Sequence, residues 1–512
     1  MTDYDAIVVG SGAGGLAAAL RMSQQGVSVL LLEAAPSFGG YLNAFTRKGY
    51  SFDTGLHYLG KLAPGGSFRM LLELLEIDKE VSFIELNPHG FDRFSFPDFE
   101  LRLCKGKAQY QERLLELFPH ESKPIKRFFH TVDQLLKAFS DPKGPPKNIF
   151  DKIGYVVRHP VLMRHFRSTY QKMINGITRN PSLQAALSAH CGNSGLPPSR
   201  ASAFLCLMLL DHYFDGAYYP KGGSAALRDA FVTGLRRRKA VLTAGAPVTR
   251  IERRGAEFCV STKSGDQYTA RAVVSNADPI ITFRKLIDSA LIPKPLAKKV
   301  ARLRPSAGAF YAFIGTSLDL SATQLSDANI IHFDYMDVNR CFETLQERDE
   351  TDPFSYYFLT SPSLKDPQGP HAPQGHHTLQ IISGFGFGRH PFLPWTGTRS
   401  RQRGDAYDHL KNRLGMQLVR SAERYLPGLG DHLEYVEFAT PLSSEYWVNS
   451  FQGANFGLEQ APDQFGAGRF YDCTTGIEGL FLVGSGTISG GVLPCMASGV
   501  WAASQILDFL NN

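Results

Sequence analysis

The sequence predicts an α/β fold that begins with a dinucleotide-binding unit and continues into a second, mixed α+β domain. Residues 6–9 (Ala-Ile-Val-Val) form an apolar run typical of a buried strand, and a glycine-rich turn follows at once. Residues 27–33 form a second apolar run that ends in the carboxylate of Glu33. The length of 512 residues exceeds what one compact core usually holds, so two domains are expected.

The turn after the first strand has the spacing of a phosphate-binding loop. Gly10, Gly12 and Gly15 satisfy G-x-G-x-x-G, and a helix is predicted over 16–25. In this pattern the glycines make the tight turn, let the backbone approach a pyrophosphate, and let helix and strand pack closely. Glu33, 18 residues after Gly15, stands where a carboxylate accepts hydrogen bonds from a ribose hydroxyl. The predicted contacts of the dinucleotide also include Ser11, Ala13, Gly14 and Ala34.

Two further motifs follow within residues 38–60. Gly39 and Gly40 come six and seven residues after Glu33, and residues 52–58 read Phe-Asp-Thr-Gly-Leu-His-Tyr. The glycine pair resembles the second glycine motif of FAD-containing oxidoreductases of the glutathione-reductase-like superfamily. The segment 52–58 resembles, more specifically, the phytoene desaturase, carotene isomerase and retinol saturase family. The resemblance implies a Rossmann-like FAD-binding domain, and its further FAD contacts are Tyr41, Gly55 and Leu56.

The resemblance continues along the chain in the family's order. Residues 218–224 (Tyr-Tyr-Pro-Lys-Gly-Gly-Ser), preceded by His212-Tyr213, are similar to the retinol saturase branch. His212 has two interpretations, a residue facing substrate or flavin and a satisfied interior side chain. In the family a strand like 243–251 sets a valine backbone against the FAD adenine, which is Val248 here. A strand over 272–279 ends near the cofactor at Asn276, for which a turn or cap role is the alternative.

The C-terminal segment reads as a strand, a glycine-rich turn and a helix that begins near Pro494. Residues 479–507 carry no charge, but several glycines and Pro494 interrupt them, so a membrane span is not expected. The resemblance implies that Gly484 and Gly486 lie at the strand end beside the pyrophosphate. It also implies that Gly491 and Val492 lie under the flavin ring, where a helix N-terminus stabilises the negative charge of reduced flavin. The sequence Gly-Ser-Gly departs from the family's usual Gly-Asp or Gly-Ala-Gly, so the pyrophosphate contact stays open.

One segment holds nearly all of the net positive charge. Between residues 143 and 172 there are seven basic residues and one acid, which together equal the net charge of +6 of the whole chain. Bulky apolar side chains are interleaved with them. This pattern suits an interfacial helix on an anionic membrane, and a solvated helix packed on its own domain is the alternative. We predict peripheral membrane contact over residues 143–175 and, for want of a recognition motif, no nucleic-acid binding.

The predicted FAD-binding domain is discontinuous and comprises residues 1–60, 220–280 and 455–512. A substrate domain built from insertions comprises 61–219, mainly helical, and 281–454, a β-rich layer with one or two helices. The loop 384–388 lacks a third glycine and a following helix, so no second dinucleotide domain is predicted. The seven cysteines form no C-x-x-C pair, which argues against a metal site and fits a reducing compartment. Because the N-terminus lacks a signal-type segment, a cytoplasmic location is expected.

The resemblance implies an FAD-dependent oxidoreductase, a flavoprotein, that acts on carbon–carbon double bonds of a long apolar polyene, isoprenoid or related lipid. The motifs favour retinol- or carotenoid-saturase-like chemistry, with desaturation and cis–trans isomerisation as alternatives. His57 and Tyr58 are the catalytic candidates, because their segment should pass near the isoalloxazine ring. Amine oxidation shares the fold. A non-catalytic prenyl-lipid carrier resembling GDP-dissociation inhibitors is an alternative of another class, although a carrier needs no pyrophosphate site.

Overall fold

The computed structural model describes residues 2–139, 149–347, 353–385, 390–398 and 402–511. The strands are β1 (Tyr4–Val9), β2 (Val29–Leu32), β3 (Ala44–Arg47), β4 (Tyr50–Asp53), β5 (Phe83–Glu85), β6 (Asp92–Ser95), β7 (Glu100–Leu103), β8 (Tyr218–Pro220), β9 (Val241–Thr243), β10 (Val248–Arg254), β11 (Glu257–Thr262), β12 (Gln267–Ser275), β13 (Gly308–Thr316), β14 (Asn329–Phe333), β15 (Tyr356–Thr360), β16 (His377–Phe385), β17 (Leu433–Ala439) and β18 (Leu480–Leu482).

The helices separate and cover these strands. They are α1 (Ala13–Gln24), α2 (Ser67–Leu74), α3 (Lys107–Leu117), α4 (Ser122–Phe139), α5 (Ile149–Arg158), α6 (Pro160–His165), α7 (Tyr170–Asn175), α8 (Pro181–Ser188), α9 (Ala203–Phe214), α10 (Ser224–Arg237), α11 (Pro279–Ile281), α12 (Lys294–Ala301), α13 (Val338–Glu347), α14 (Pro362–Lys365), α15 (Gly404–Ala422), α16 (Pro441–Trp447) and α17 (Val492–Asn511).

The first sheet has the strand order β10-β11-β12-β1-β2-β9, and β18 pairs with β12. Strands β1, β2, β9, β12 and β18 run parallel, with Ala6 between Val29 on one side and Ala272 on the other. These strands are buried and apolar, as expected for a parallel sheet covered on both faces. They come from the three segments predicted to form the FAD-binding domain. The domain boundaries themselves stay a prediction.

The second sheet has the order β17-β13-β16-β15-β14-β6-β7 and is antiparallel except where β14 and β6 pair. Both insertions contribute to it, because β6 and β7 come from residues 61–219 and the others from residues after 281. The fold is therefore the predicted α/β class, a Rossmann-like sheet joined to a mixed α+β layer.

Two details of the predicted elements are wrong. The strand predicted over 243–251 is two strands, β9 beside β2 and β10 at the far edge of the sheet, separated by a turn in which Gly245 has φ +69°. Because β9 and β10 lie at opposite edges of the first sheet, the chain must leave the sheet between them. Only the strand pairing in the folded protein reveals this break. The prediction of one or two helices after residue 281 is also wrong, since α12 to α16 lie there. Several of these helices have ten residues or fewer, too short for a clear period.

Helix α17 is long and apolar enough to span a membrane by length and composition, and 39% of its most apolar window is buried. It packs closely on α1. A Cβ at Gly499 would lie 2.3 Å from the carbonyl oxygen of Gly14 and 2.8 Å from the amide nitrogen of Ala18. This contact packs one side of α17 on α1, and the strand, glycine-rich turn and helix predicted for the segment are confirmed as β18, the loop after it and α17.

Substitution of Gly499 by alanine tests this packing. We expect the free energy of unfolding to fall by about 1–3 kcal/mol, because the added methyl meets the backbone of α1, which cannot move aside easily. Gly154→Ala in α5 is the control, since its Cβ would meet only the flexible end of Arg158 at 3.2 Å. That change should be neutral or stabilise the protein by up to about 1 kcal/mol. Urea denaturation measures both, and equal stability of the two variants would contradict the close α1–α17 contact.

Candidate active site

The glycine loop joins β1 to α1, and its backbone packs directly against other backbone atoms. Gly10 has φ +93°, and its N–H donates to the carbonyl of Leu32 at 2.8 Å. A Cβ at Gly15 would lie 2.1 Å from the carbonyl oxygen of Gly10, so only glycine permits this turn. Because Gly12, Gly14 and Gly15 have no side chains, none of them covers the N-terminus of α1. A helix N-terminus favours an anionic phosphate, so the loop leaves room for one.

Asn276 follows β12 and lies inside this loop. Its Oδ1 accepts a hydrogen bond from the N–H of Gly15 at 3.0 Å. A Cβ at Gly12 would lie 2.6 Å from Asn276 Nδ2, and one at Gly484 would lie 2.6 Å from Asn276 Oδ1. Asn276 therefore joins the first, middle and last segments of the chain, and Gly14 and Gly484 approach each other beside it. The helix cap at this point is Asp278, two residues later, which accepts from Ile280 N at 2.7 Å at the start of α11.

Glu33 is buried beside the same loop. Its carboxylate accepts from Ser11 N at 2.8 Å, from Ser11 Oγ at 2.5 Å and from Ala35 N at 2.8 Å. Ser11 Oγ in turn accepts from the N–H of Gly39 at 2.9 Å. The predicted ribose ligand thus also ties the glycine loop to the second glycine pair. Ala34 lies exposed next to it.

The remaining predicted contacts lie around this core. Gly40 has φ +56°, and its Cβ would lie 3.3 Å from Gly12 Cα. Val248 begins β10, two residues after Ala246, whose N–H donates to the backbone carbonyl of Glu33 at 2.8 Å. Gly486 packs against Pro279, where a Cβ would lie 2.1 Å from the proline ring. Ala13 begins α1.

A cavity of about 1200 Å³ lies beside these loops. The structure brings the segment Gly55–Tyr58 to one part of its wall and Gly491 and Val492 to another. Much of the remaining wall is apolar and includes Phe166, Phe204, Met208, Phe342, Phe358, Ile382 and Phe465. Tyr41 lies behind Gly55, where a Cβ would meet its side chain at 2.8 Å, and burial raises the pKa of Tyr41 to about 12.

Four titratable groups lie close together here: His57 and Tyr58 line the cavity, and Asp92 and Lys365 contact them from behind. The Tyr58 hydroxyl donates to Asp92 Oδ2 at 2.6 Å, and Lys365 Nζ donates to the carbonyl of His57 at 2.9 Å. Burial raises the pKa of Asp92 to about 6 and lowers that of Lys365 to about 7. Burial and the charge of Lys365 lower the pKa of His57 to about 3, so its imidazole is neutral at neutral pH. Burial also raises the pKa of Tyr58, and the charge of Asp92 adds to this.

Asp92 and Lys365 were missed at the sequence level. Asp92 carried a signal, since it interrupts the apolar residues of a strand that reads Phe-Asp-Arg-Phe at 91–94. Lys365 carried none, because it ends the four-residue helix α14 in a polar loop region. Among the described residues no group of three or more His, Cys, Asp or Glu side chains is arranged to hold a metal ion.

The two motifs most similar to the retinol saturase branch contact each other. Asp53 accepts from Tyr219 Oη at 2.5 Å and from Ser224 N and Oγ at 2.8 and 2.7 Å. His212 lines the cavity, but its Nε2 accepts from the N–H of Gly60 at 2.9 Å, and burial lowers its pKa to about 3. These contacts favour the structural interpretation of His212, in which it is a satisfied interior side chain.

Comparison with known proteins places the chain in a family. A model described as flavin containing amine oxidoreductase matches residues 13–507. An all-trans-retinol 13,14-reductase of Danio rerio is 26% identical over 99% of this chain and 86% of its own length. The human protein of the same name is 24% identical over 98% of this chain and 85% of its own length. A chloroplastic prolycopene isomerase 1 of an Oncidium hybrid cultivar is 27% identical over 98% of this chain and 84% of its own length.

Solved structures share the fold. An oxidoreductase from Methanosarcina mazei has a TM-score of 0.63 at 15% identity, covering 98% of this chain and 100% of its own. A putrescine oxidase bound to putrescine has a TM-score of 0.64 at 13% identity, covering 99% of each chain. A cyclohexylamine oxidase from Brevibacterium oxydans has a TM-score of 0.62 at 16% identity, covering 100% of each chain.

The residues present fit an FAD. The glycine loop opens the N-terminus of α1, and a buried carboxylate lies beside it, as a pyrophosphate and a ribose require. The prediction of an FAD-dependent enzyme is confirmed in preference to the non-catalytic carrier. Because the family model matches nearly the whole chain, this protein belongs to the flavin containing amine oxidoreductase family and is an FAD-dependent oxidoreductase.

Proposed function

We propose that the enzyme saturates a carbon–carbon double bond of an apolar polyene of the retinoid or carotenoid kind. The observation that carries this proposal is the large cavity, walled by aromatic and aliphatic side chains, that lies between residues 55–58 and 490–494. Relatives across nearly the whole chain are named as reductases of all-trans-retinol and isomerases of prolycopene. An apolar polyene offers few hydrogen-bonding groups, so an apolar wall is the surface that would bind it.

The size of the cavity supports a long substrate. Its volume of about 1200 Å³ exceeds the roughly 300–1000 Å³ of most small-molecule sites. We propose that the flavin ring shares this space, held over Gly491 and Val492, while the polyene lies along the wall of Phe204, Phe358 and neighbouring residues. The apolar wall then excludes water from the reacting atoms.

The predicted FAD contacts form the other half of the proposal. The pyrophosphate would lie at residues 10–15 with Gly39, Gly40, Asn276, Gly484 and Gly486 around it. Glu33 would hold the ribose, with Ala34 beside it, and Val248 would contact the adenine. Tyr41, Gly55 and Leu56 would lie along the flavin side of the cofactor. When bound, FAD supplies the hydride chemistry.

His57 and Tyr58 would meet the substrate at the cavity wall. His57 is uncharged at neutral pH, so it would orient the polyene by contact rather than by charge. The Tyr58 hydroxyl is a proton donor within reach of the cavity. Saturation needs one proton in addition to a hydride, whereas isomerisation needs none overall.

The mass of the product separates the possible reactions. We expect that holoenzyme reduced with dithionite under argon converts all-trans-retinol or a linear carotene to a product with two additional hydrogen atoms, measured by mass spectrometry. The same holoenzyme kept oxidised is the control and should give no such product. An unchanged mass with an altered cis–trans pattern would show isomerisation, and a loss of two hydrogens would show desaturation.

The role of Glu33 is tested by Glu33→Gln. We expect the Kd for FAD to rise about tenfold or more, because a charge-assisted hydrogen bond to the ribose is worth about 1.5–3 kcal/mol. The exposed Glu434→Gln is the control for the loss of one negative charge. Titration of the apoprotein with FAD, followed by flavin fluorescence, measures both. An unchanged Kd in Glu33→Gln would show that Glu33 does not bind the ribose and only accepts hydrogen bonds within the protein.

We also propose that helices α5 and α6 touch a membrane. Val157 is 74% exposed and Met163 is 45% exposed, and Arg158, Arg164 and Arg167 are exposed around them. Phe166, at the end of the same segment, lines the cavity, so an apolar substrate would enter beside the lipid. Lys143 and Lys147 of the predicted basic segment lie outside the described residues. The cytoplasmic location stays a prediction.

Liposome flotation tests the membrane contact. We expect wild type to float with anionic vesicles and the triple variant Arg158→Glu, Arg164→Glu, Arg167→Glu to remain in the dense fraction, because repulsion replaces attraction. The matched control changes three exposed basic residues of and after α12 in the same way, and it should still float: Lys294→Glu, Lys298→Glu and Arg302→Glu. Equal flotation of both triple variants would remove the electrostatic part of the proposal.

A further inference from the structure

A hydrogen-bonded chain leads away from the substrate cavity through Tyr58. The Tyr58 hydroxyl donates to Asp92 Oδ2 at 2.6 Å, and the Asp92 side chain is 1% exposed. Asp92 Oδ1 accepts from Asn329 Nδ2 at 2.9 Å. Asn329 Oδ1 accepts from Thr360 Oγ1 at 2.7 Å, and Thr360 Oγ1 accepts in turn from Lys365 Nζ. No charged group is left without a partner along this chain.

The far end of the chain opens on a second, smaller cavity. Asn329 and Lys365 line this outer cavity, which has a volume of about 200 Å³. The exposed side chains of Glu85 and Asp327 line it as well, so it meets the protein surface. Lys365 and Asp92 thus lie between bulk water on one side and the substrate cavity on the other.

The titratable groups at this point are matched to proton transfer near neutral pH. Burial brings the pKa of Asp92 up to about 6 and that of Lys365 down to about 7, and each charge lessens the shift of the other. The other groups that face them are His57, Asp53, Tyr213 and Tyr356. His57 is neutral, and burial raises the pKa of both tyrosines, so neither competes for the proton. Such a pair, clustered at a cavity, is typical of a functional site.

We propose that Tyr58 and Asp92 form a proton path to the substrate, and that Lys365, beside the outer cavity, controls the charge of Asp92. This inference rests on the proposed saturation. The π bond of the substrate breaks as one carbon receives a hydride, with both electrons, from the reduced cofactor and the other carbon takes the hydroxyl proton of Tyr58. The protonated form of Asp92 gives its proton to the Tyr58 oxygen across their hydrogen bond, and the resulting carboxylate takes up a proton from solvent before the next turnover. An external low-potential reductant supplies the electrons.

Each member has a distinct role. Tyr58 touches the substrate cavity and is the catalytic residue. Asp92 acts through Tyr58 by restoring its proton, and Lys365 acts through the charge that it places near Asp92. Because Asp92 must hold a proton to deliver it, and loses it as the pH rises, the rate should fall above about pH 6.

The test uses dithionite-reduced holoenzyme and all-trans-retinol in single turnover. We expect Tyr58→Phe and Asp92→Asn to slow product formation about 100-fold or more while retaining bound flavin. Tyr357→Phe is the control, since its hydroxyl donates to the carbonyl of Ser421 and does not belong to the path. It should keep the wild-type rate.

The pH profile guards against a variant that merely misfolds. We expect Lys365→Ala to move the fall in rate to higher pH, because the charge of Lys365 lowers the pKa of Asp92. Tyr357→Phe should keep the wild-type profile. The path is overturned if wild type forms the saturated product but Tyr58→Phe matches its rate and pH profile. If wild type converts no polyene, or only isomerises it, the proposed saturation itself fails and the path with it.

Discussion

The hydrogen bond from Gly15 to Asn276 is the contact on which the rest of the cofactor side depends. It closes the glycine loop onto the end of β12, and Gly484 at the end of β18 packs against the same amide. Glycine is required at Gly14 and Gly15 because backbone atoms fill the space that a Cβ would take, and at Gly12 and Gly484 because the Asn276 amide fills it. Three distant segments of the chain therefore reach one point at the carboxyl ends of parallel strands, which is where α/β sheets bind dinucleotides.

The second site depends on the pairing of β6 with β14. This parallel contact brings Asp92, from the first insertion, beside Asn329, from the second. Strand β15 lies next to β14, and Lys365 ends the short helix α14 that follows β15. Tyr58 comes from the segment after β4. Burial then perturbs the pKa of each group in the direction that disfavours its charge, and their closeness moderates the effect. The sheet built from both insertions thus places two titratable side chains, Asp92 and Lys365, behind the apolar wall of the substrate cavity.

The motifs that carried the family resemblance have mainly structural contacts. Asp53 of the first motif holds Tyr219 and Ser224 of the second, and His212 accepts from the backbone of Gly60. Their value as a signature follows from this, since a buried carboxylate with several donors tolerates few replacements. The residues after Asp53 in the same motif, His57 and Tyr58, are the ones that reach the cavity.

The sequence by itself determined the α/β class and the glycine loop, because these depend on local patterns and on glycine spacing. The FAD and the order of the segments around it followed from the resemblance of the motifs to a known family. It also indicated His57 and Tyr58. Only the tertiary structure decided that the strand predicted over 243–251 is two, that the region after residue 281 holds more helices, and that Asp92 and Lys365 lie behind Tyr58. These depend on strand pairing and on burial between residues that are far apart in the chain. Spacing along a sequence does not encode such contacts, and the pKa of a buried group exists only once the fold has removed it from water.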